Sequence, residues 1–466
     1  MIVMKFGGTS VEDAASIERV TEIVRARLDL KPVIVVSAMG KTTRKLLAAA
    51  EASADGDSRT ALGFLADLKT RHTSEVRRLV QKATGRLALP LIEQHFDELK
   101  TLLEGLAILG EVPPRGLDKI LAYGELLSSY IVADAMAERG IRTRLLDARE
   151  LIKTDDRYGG ASPLSDLTNR AIVEKIAPVL EQGEVPVVQG FIGSTRDGAT
   201  TTLGFEGSDY TASIIGAALN AEDIQIWKDV PGLMTADPHV FGGARTVKAC
   251  SFAEAADLTF LGAKVLHAKA IYPAARKKIP VHIYNSKQPD ATGTSIGAAA
   301  PRSTSLIKSI AYRRPVTIIR ARADTTTDGS REASADDLLK ALLDTLAKRR
   351  ARALFTAVSS SHVVVALDSR ELKHGGRDLI ESIAPYGSAT AEPDKAIVSL
   401  VGEELGSDPS AVSRAVKAMD DTKLSVILHG SSPISVSFVV DQSEVEGVIA
   451  RLHEVFFSEA DPALFD

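Results

Sequence analysis

The stretch IVMKFGGTSVEDAASIERVTEIVRARLDLKPVIVVSA, residues 2–38, decides the fold. IVMKF is a short apolar run of strand type, and PVIVVSA is a second, apolar almost to its end. Between them SVEDAASIERVTEIVRARL repeats apolar residues at helical spacing, and Ser10 with Asp13 resembles a capping box ahead of it. A strand, a helix and a strand in that order form a crossover unit, whose two strands lie parallel.

The same alternation runs on through strands at RTRLLDA, VPVVQGF, DIQIWKDV and IPVHIYN, with helices between them. Residues 1–297 therefore read as one α/β domain, layered helix-sheet-helix around a mostly parallel sheet. From about 60 to 110, Leu62, Leu65, Leu68, Leu99, Leu102 and Leu103 recur at helical spacing, which predicts a helical lid or interface. The segment 298–309 is small, polar and Pro-containing and reads as a linker.

Beyond it the order changes to strand, helix, strand, strand, helix, strand, and then repeats. Two ferredoxin-like βαββαβ units are expected, at 310–392 and 393–466. No closing strand is evident after Phe457, so the two units are expected to exchange strands. The basic run Lys348-Arg349-Arg350 ends an amphipathic segment and suits a helix C-terminus.

Composition excludes several classes. A formal net charge of −5 over 466 residues supplies no basic field for nucleic acid. No apolar run approaches the roughly 20 residues of a membrane span, and the first residues lack the layout of a targeting peptide. The single cysteine, Cys250, excludes an internal disulfide and a Cys-based zinc cluster and suits a reducing, cytoplasmic setting.

Two segments carry phosphate-type chemistry. Lys5 ends the first strand and is followed by Gly7, Gly8 and Ser10, so backbone N–H groups and one cation can approach an anion. TTTLGFEGSDYTA, 200–212, places Gly204 and Gly207 before Ser208 and Asp209, a helix start whose carboxylate can organise a metal-bound or cationic partner. Neither Walker A near miss holds: Val35 stands at the first glycine position before Gly40-Lys41-Thr42, and Ala199 replaces the lysine after Gly193. Protein-kinase HRD and DFG tripeptides are absent from the sequence.

Taken in order, KFGGTS (5–10), VVSAMGKTT (35–43), YGELLSS (123–129), QGFIGS (189–194), GSDYTA (207–212), KDVPGLMTADP (228–238) and GAKVLHAKA (262–270) resemble the aspartate kinases. The tandem C-terminal repeat resembles the paired ACT domains of that family. The resemblance implies an amino-acid-kinase fold and phosphorylation of L-aspartate by ATP with Mg²⁺, with no metal site built by the protein alone. It also implies an effector, lysine or threonine, and a homodimer or homotetramer formed through the ACT units. Nucleic acid and membrane are not implied partners.

Residue by residue, the resemblance implies that Lys5, Asp209 and Lys264 are catalytic, with Gly7, Gly8 and Ser10 cradling phosphate. Lys228, Asp229, Met234 and Lys264 would meet the nucleotide. Ser37, Thr43, Glu125, Phe191, Gly207 and Ser208 would hold the amino acid, Glu125 through its ammonium group. His239 stands where the family often has arginine, and Met234 where it often has tyrosine. Phe205 is the larger departure, since the family pattern has an arginine there that pairs with a carboxylate of aspartate, and Glu206 adds negative charge. Losing one charge-assisted hydrogen bond weakens binding roughly 10- to 150-fold. Arg196, Lys41 and Arg44 are the candidate replacements. The first ACT-like unit also departs from the family run, offering LFTAVSSSH at 354–362. Other readings weighed on the same residues are a kinase of another acidic metabolite and a non-catalytic ACT sensor.

Overall fold

The computed structural model describes residues 1–80, 88–204, 207–263, 266, 268–301, 303, 306–324, 333–349, 351–372, 376–459 and 461–466. Ten strands belong to the first domain: β1 Ile2–Phe6, β2 Pro32–Val36, β3 Thr143–Leu146, β4 Val185–Gln189, β5 Ile192–Ser194, β6 Thr200–Thr202, β7 Asp223–Lys228, β8 Ala249–Ser251, β9 Val281–Asn285 and β10 Thr294–Gly297. Eight of them form one sheet in the order β3-β4-β2-β1-β7-β9-β10-β8, while β5 and β6 make a separate hairpin. Every pairing from β3 to β9 is parallel, and β10 joins antiparallel to β9. β1, β2 and β4 are buried at every position because helices cover both faces, which is why they read as unbroken apolar runs.

One face carries the helices Ser165–Glu181, Gly207–Leu219 and Ile271–Lys277; the other carries Ala14–Arg25 and Pro114–Glu138. The last is long and apolar enough to cross a membrane by composition, but 89% of its most apolar window is buried inside the domain, as a central core helix. Helices Ser58–Leu79 and Ala88–Leu109 do not stand off as a lid. They pack on Thr42–Ala54 and Pro114–Glu138, burying Leu65, Leu68, Leu99 and Leu103.

The first helix starts later than Ser10 suggests. Asp13 is its N-cap and accepts from Ser16 N at 2.8 Å, whereas the Ser10 hydroxyl is drawn down to Trp227 O at 3.2 Å and Ser286 Oγ at 2.8 Å. Trp227 anchors this region: fully buried, it lies between Phe6 and Tyr284, with the Arg27 guanidinium 4.8 Å from its ring centre.

The C-terminal half is a six-stranded antiparallel sheet, β12-β13-β11-β14-β16-β15, built from β11 Ser309–Ala323, β12 Ala353–Val358, β13 His362–Asp368, β14 Gly387–Val401, β15 Val426–Leu428 and β16 Ser435–Asp441. β11 and β14 are each long enough to serve both units. Residues 316–323 of β11 pair with 387–395 of β14 next to β13, and residues 309–313 pair with 397–401 next to β16. The strand that closes the second unit thus precedes the first unit in the chain. The register breaks between Arg313 and Val316, where Pro315 has no N–H to give the ladder.

Candidate active site

The site is assembled from the carboxyl ends of four adjacent parallel strands, β4, β2, β1 and β7, the place where α/β sheets bind ligands. The loops leaving these ends are tied to one another. Gly7 N donates to Trp227 O at 2.9 Å, Ser37 N to Phe6 O at 3.1 Å, Gly40 N to Gly8 O at 2.9 Å and Gly190 N to Val36 O at 2.8 Å. Two glycines are required by contact. A Cβ on Gly8 would lie 2.8 Å from Ala38 O, and one on Gly190 would lie 2.5 Å from the Ser208 Cβ.

Asp209, fully buried in the first turn of Gly207–Leu219, is held by two lysines. Lys5 Nζ lies 2.6 Å from its Oδ1 and Lys228 Nζ 2.9 Å from its Oδ2. Burial opposes ionisation, but Lys228 and Lys5 outweigh it and hold the carboxyl well below the usual carboxylate range. The triad carries a net single positive charge on largely buried side chains. Gly7 lies against it, its implied Cβ 3.8 Å from Lys5 Nζ. The chemistry of this donor set suits a polyphosphate: two ammonium groups held from fixed positions, with glycine backbone beside them.

Glu125 lies opposite, on Pro114–Glu138, brought close by Gly124, whose Cβ would stand 2.9 Å from the Ala38 Cβ. One carboxylate oxygen accepts from Ala38 N at 3.2 Å; the other is buried and, among the described residues, has no hydrogen-bond partner. Burial pushes its pKa up to about 8, only partly countered by Ala38 N and the more remote Lys5. An unpartnered buried carboxyl beside a lysine-lined pocket is arranged to receive a cation from a ligand.

Phe191 is buried with φ of +70°, an uncommon conformation for a bulky residue. Its N–H donates to Thr211 Oγ1 at 3.0 Å and its carbonyl accepts from Leu203 N at 2.8 Å, so the QGF turn is held against the start of Gly207–Leu219. Strain of this kind costs on the order of 1–3 kcal/mol and is kept where a turn must present a ligand surface. Gly207 packs on this ring, and Ser208 is buried in the first turn of the helix. Ser37, on the loop after β2, and Thr43, in the first turn of Thr42–Ala54, are half-buried, facing Phe6 and Gly124.

Lys228 was expected on the adenosine side, yet its ammonium reaches the triad. Ser10, expected to cradle phosphate, braces the floor through Trp227 and Ser286. Asp229 is exposed just beyond β7, and Met234 is half-buried, its carbonyl accepting from Ser309 Oγ at 2.7 Å. His239 is exposed beside Asp237. Lys264, His267, Phe205 and Glu206 lie outside the described residues. Lys41, Arg44 and Arg196 are exposed, and among the described residues none of them forms an ion pair.

Sequence reasoning missed two supports. Asp118 accepts from Gly159 N at 3.0 Å and from Thr202 N and Thr202 Oγ1 at 2.8 Å each, clamping β6 just ahead of Gly204. Arg71 donates to Gly40 O at 2.6 Å and Glu12 O at 2.7 Å, fixing the turn before Lys41. Neither sits in a motif, because each acts on backbone groups far away in the chain. Among the described residues no cluster of three or more His, Cys, Asp or Glu is placed to hold a metal ion.

Known proteins resemble this chain over nearly its whole length. The amino acid kinase family pattern matches residues 1–285 and an ACT domain pattern matches 398–456. Chloroplastic aspartokinase 1 of Arabidopsis thaliana is 33% identical over 472 residues, spanning 98% of this chain and 80% of that protein. The chain belongs to the aspartokinase family. Lysine-sensitive aspartokinase 3 of Escherichia coli is 30% identical across 98% of this chain and 99% of its own. The crystal structure of E. coli aspartokinase III in complex with aspartate and ADP, in its R-state, superposes with a TM-score of 0.88 at 28% identity, covering 98% of this chain and 100% of that one. The same enzyme with lysine and aspartate, in its T-state, gives 0.77.

Proposed function

We propose that the chain transfers the γ-phosphoryl group of ATP to the side-chain carboxylate of L-aspartate, giving 4-phospho-L-aspartate and ADP at the entry to lysine, threonine and methionine synthesis. The observation that carries this reading is the Lys5–Asp209–Lys228 triad set across from the unpartnered carboxyl of Glu125. The first supplies charge for a transferring phosphoryl group, the second a partner for an α-ammonium.

A substrate carboxylate is already ionised at neutral pH, so the reaction needs no general base. A carboxylate oxygen forms a bond to the γ-phosphorus while the bond to the β–γ bridging oxygen breaks and ADP departs. The task for the protein is to hold two anions in line and neutralise the charge that spreads over the transferring group. Lys5 and Lys228 do this from fixed positions, and Asp209 holds both ammonium groups so that they need not reorganise. Mg²⁺ entering with ATP would screen its phosphates, while Asp209, buried with both oxygens on the two lysines, would act on them through those ammonium groups. Asp229, Met234 and Lys264 form the nucleotide side of this reading.

Ser37, Thr43, Phe191 and Ser208 border the amino-acid pocket, and Glu125 ionises when it receives the ammonium. The α-carboxylate needs a cation in place of the arginine replaced by Phe205. Lys41, which follows the Arg71-held turn, is the first candidate, with Arg44 and Arg196 next. The ACT units take lysine or threonine as feedback effector. Among the described residues β12 ends the regulatory sheet with an unpaired edge, which suits pairing with a second copy of the chain as a homodimer or larger assembly.

An ATP-dependent hydroxamate assay with L-aspartate, L-glutamate and N-acetylglutamate tests the assignment. Hydroxamate from aspartate alone is expected. Product from another acid alone overturns the substrate, and no product from any of them overturns the enzyme.

A further inference from the structure

Leu233, Met234 and Thr235, in the middle of KDVPGLMTADP, pair with the chain a few residues on. Thr235 N donates to Arg245 O at 2.8 Å, Val247 N donates to Leu233 O at 2.8 Å, and Met234 and Thr246 form an antiparallel bridge. Residues 464–466 take the other side of that ribbon. Lys248 N donates to Leu464 O at 2.8 Å, Asp466 N donates to Thr246 O at 3.1 Å, and Val247 bridges Phe465. The result is a small three-stranded ribbon whose third strand comes from beyond the regulatory helix Val445–Phe457.

Two strands alone make a marginal ribbon, and a third strand with buried apolar side chains is what fixes it. Leu464 and Phe465 supply these: both are buried, and Phe465 meets the Phe457 ring edge-on at 5.5 Å. Lys248 Nζ lies 2.9 Å from Asp466 Oδ1 and donates to Pro462 O at 2.8 Å, a partly exposed pair that adds little beside the apolar burial. The same helix reaches the other side of the ribbon. His453 Nε2 lies 2.9 Å from Thr235 Oγ1, and its ring packs 4.4 Å from Phe241 and 4.7 Å from Phe457. Phe457 thus joins the third strand and the Thr235 contact in one aromatic cluster. The triad and Glu125 are built on other elements, β1, β7, Gly207–Leu219 and Pro114–Glu138.

We propose that residues 461–466 are a positioning strand for the nucleotide: by completing the ribbon they hold Met234 and its neighbours where ATP is received, so nucleotide affinity depends on them and aspartate affinity does not. The strand acts through the 245–248 strand and need not touch the nucleotide itself. The proposal rests on reading residues 228–238 as the nucleotide side of the site.

Calorimetric titrations of ADP and of L-aspartate test it on the full chain, a variant lacking residues 461–466, Phe465→Ser, the conservative Phe465→Leu, and Asp229→Ala as a change on the nucleotide side itself. The deletion and Phe465→Ser should weaken ADP binding about tenfold or more and leave aspartate binding within about twofold, while Phe465→Leu stays within about twofold of wild type for both. Hydrogen exchange should quicken at residues 233–235 and 245–248 in the deletion variant and stay slow in β1 and β2, which shows that the domain remains folded. Equal losses for ADP and aspartate would make the strand a general support and overturn the proposal. So would unchanged ADP affinity in the deletion variant when Asp229→Ala weakens it. If neither change moves ADP affinity, the reading of residues 228–238 fails and the proposal falls with it. Because the readouts are heat and exchange, a chain that failed to phosphorylate aspartate would still report on the strand.

Discussion

Replacing Glu125 by glutamine separates what the site needs from what the fold prefers. The carboxyl is buried with one oxygen unpartnered, and its pKa stands at about 8 against an ordinary 4.5. Between those two values the unfolded chain has released the proton that the folded chain still binds, so wild-type stability falls as pH rises from about 4.5 and levels off above about 8. Integrating the linkage relation gives a penalty of about 1 kcal/mol at pH 5, about 3 kcal/mol at pH 7 and about 4 kcal/mol at pH 8. Glu125→Gln keeps the shape, removes the titration and should recover most of this. Urea unfolding of both proteins at pH 5, 6, 7 and 8 should show the variant's advantage growing by about 2–3 kcal/mol across the series. The same variant should lose aspartate affinity about 10- to 100-fold while KM for ATP changes little, because a neutral amide cannot pair with the ammonium. Wild-type kcat/KM for aspartate should rise with pH toward about 8, and the variant's should not. A stability difference that is flat with pH would refute the buried, protonated carboxyl. An unchanged aspartate KM would remove Glu125 from the substrate pocket.

Lys5→Ala should lower kcat about 10²–10³-fold with a smaller effect on either KM, measured by steady-state kinetics, since the ammonium acts on charge that develops in the transition state. Asp118→Asn should raise the aspartate KM several-fold more than it lowers kcat, because it loosens the clamp on Thr202 ahead of Gly204 without touching the triad; equal losses in both would mark it as structural only. Among Lys41→Ala, Arg44→Ala and Arg196→Ala, at least one should raise the aspartate KM about tenfold or more. If none does, the α-carboxylate has no replacement cation among them.

The parallel core was legible because β1, β2 and β4 are covered on both faces, a condition that leaves continuous apolar runs in the sequence. The glycines around the site were legible as well: Gly7 and Gly8 follow a lysine at a strand end, a pattern with few other uses. Capping was misread at Ser10 because Ser and Asp cap equally well in isolation, and only the distant Ser286 hydroxyl decides which one turns inward. Lys228 is similar. Nothing local distinguishes a lysine that meets adenosine from one that meets Asp209 across the sheet. In the regulatory half, the missing last strand was a correct inference from absence, but its source, residues 309–313, required knowing that β11 and β14 each run past one unit into the next.

The triad also explains why this chemistry leaves little trace of acid–base residues. Asp209 is held ionised, Lys5 and Lys228 are held by it, and the nucleophile belongs to the substrate. The most direct test therefore follows that nucleophile's oxygen. L-aspartate carrying ¹⁸O in its side-chain carboxylate, turned over with unlabelled ATP and trapped with hydroxylamine, should release inorganic phosphate containing one ¹⁸O atom from the bridging position. Phosphate without label would mean that water, or another acceptor, had taken the phosphoryl group, and would contradict direct transfer to the carboxylate.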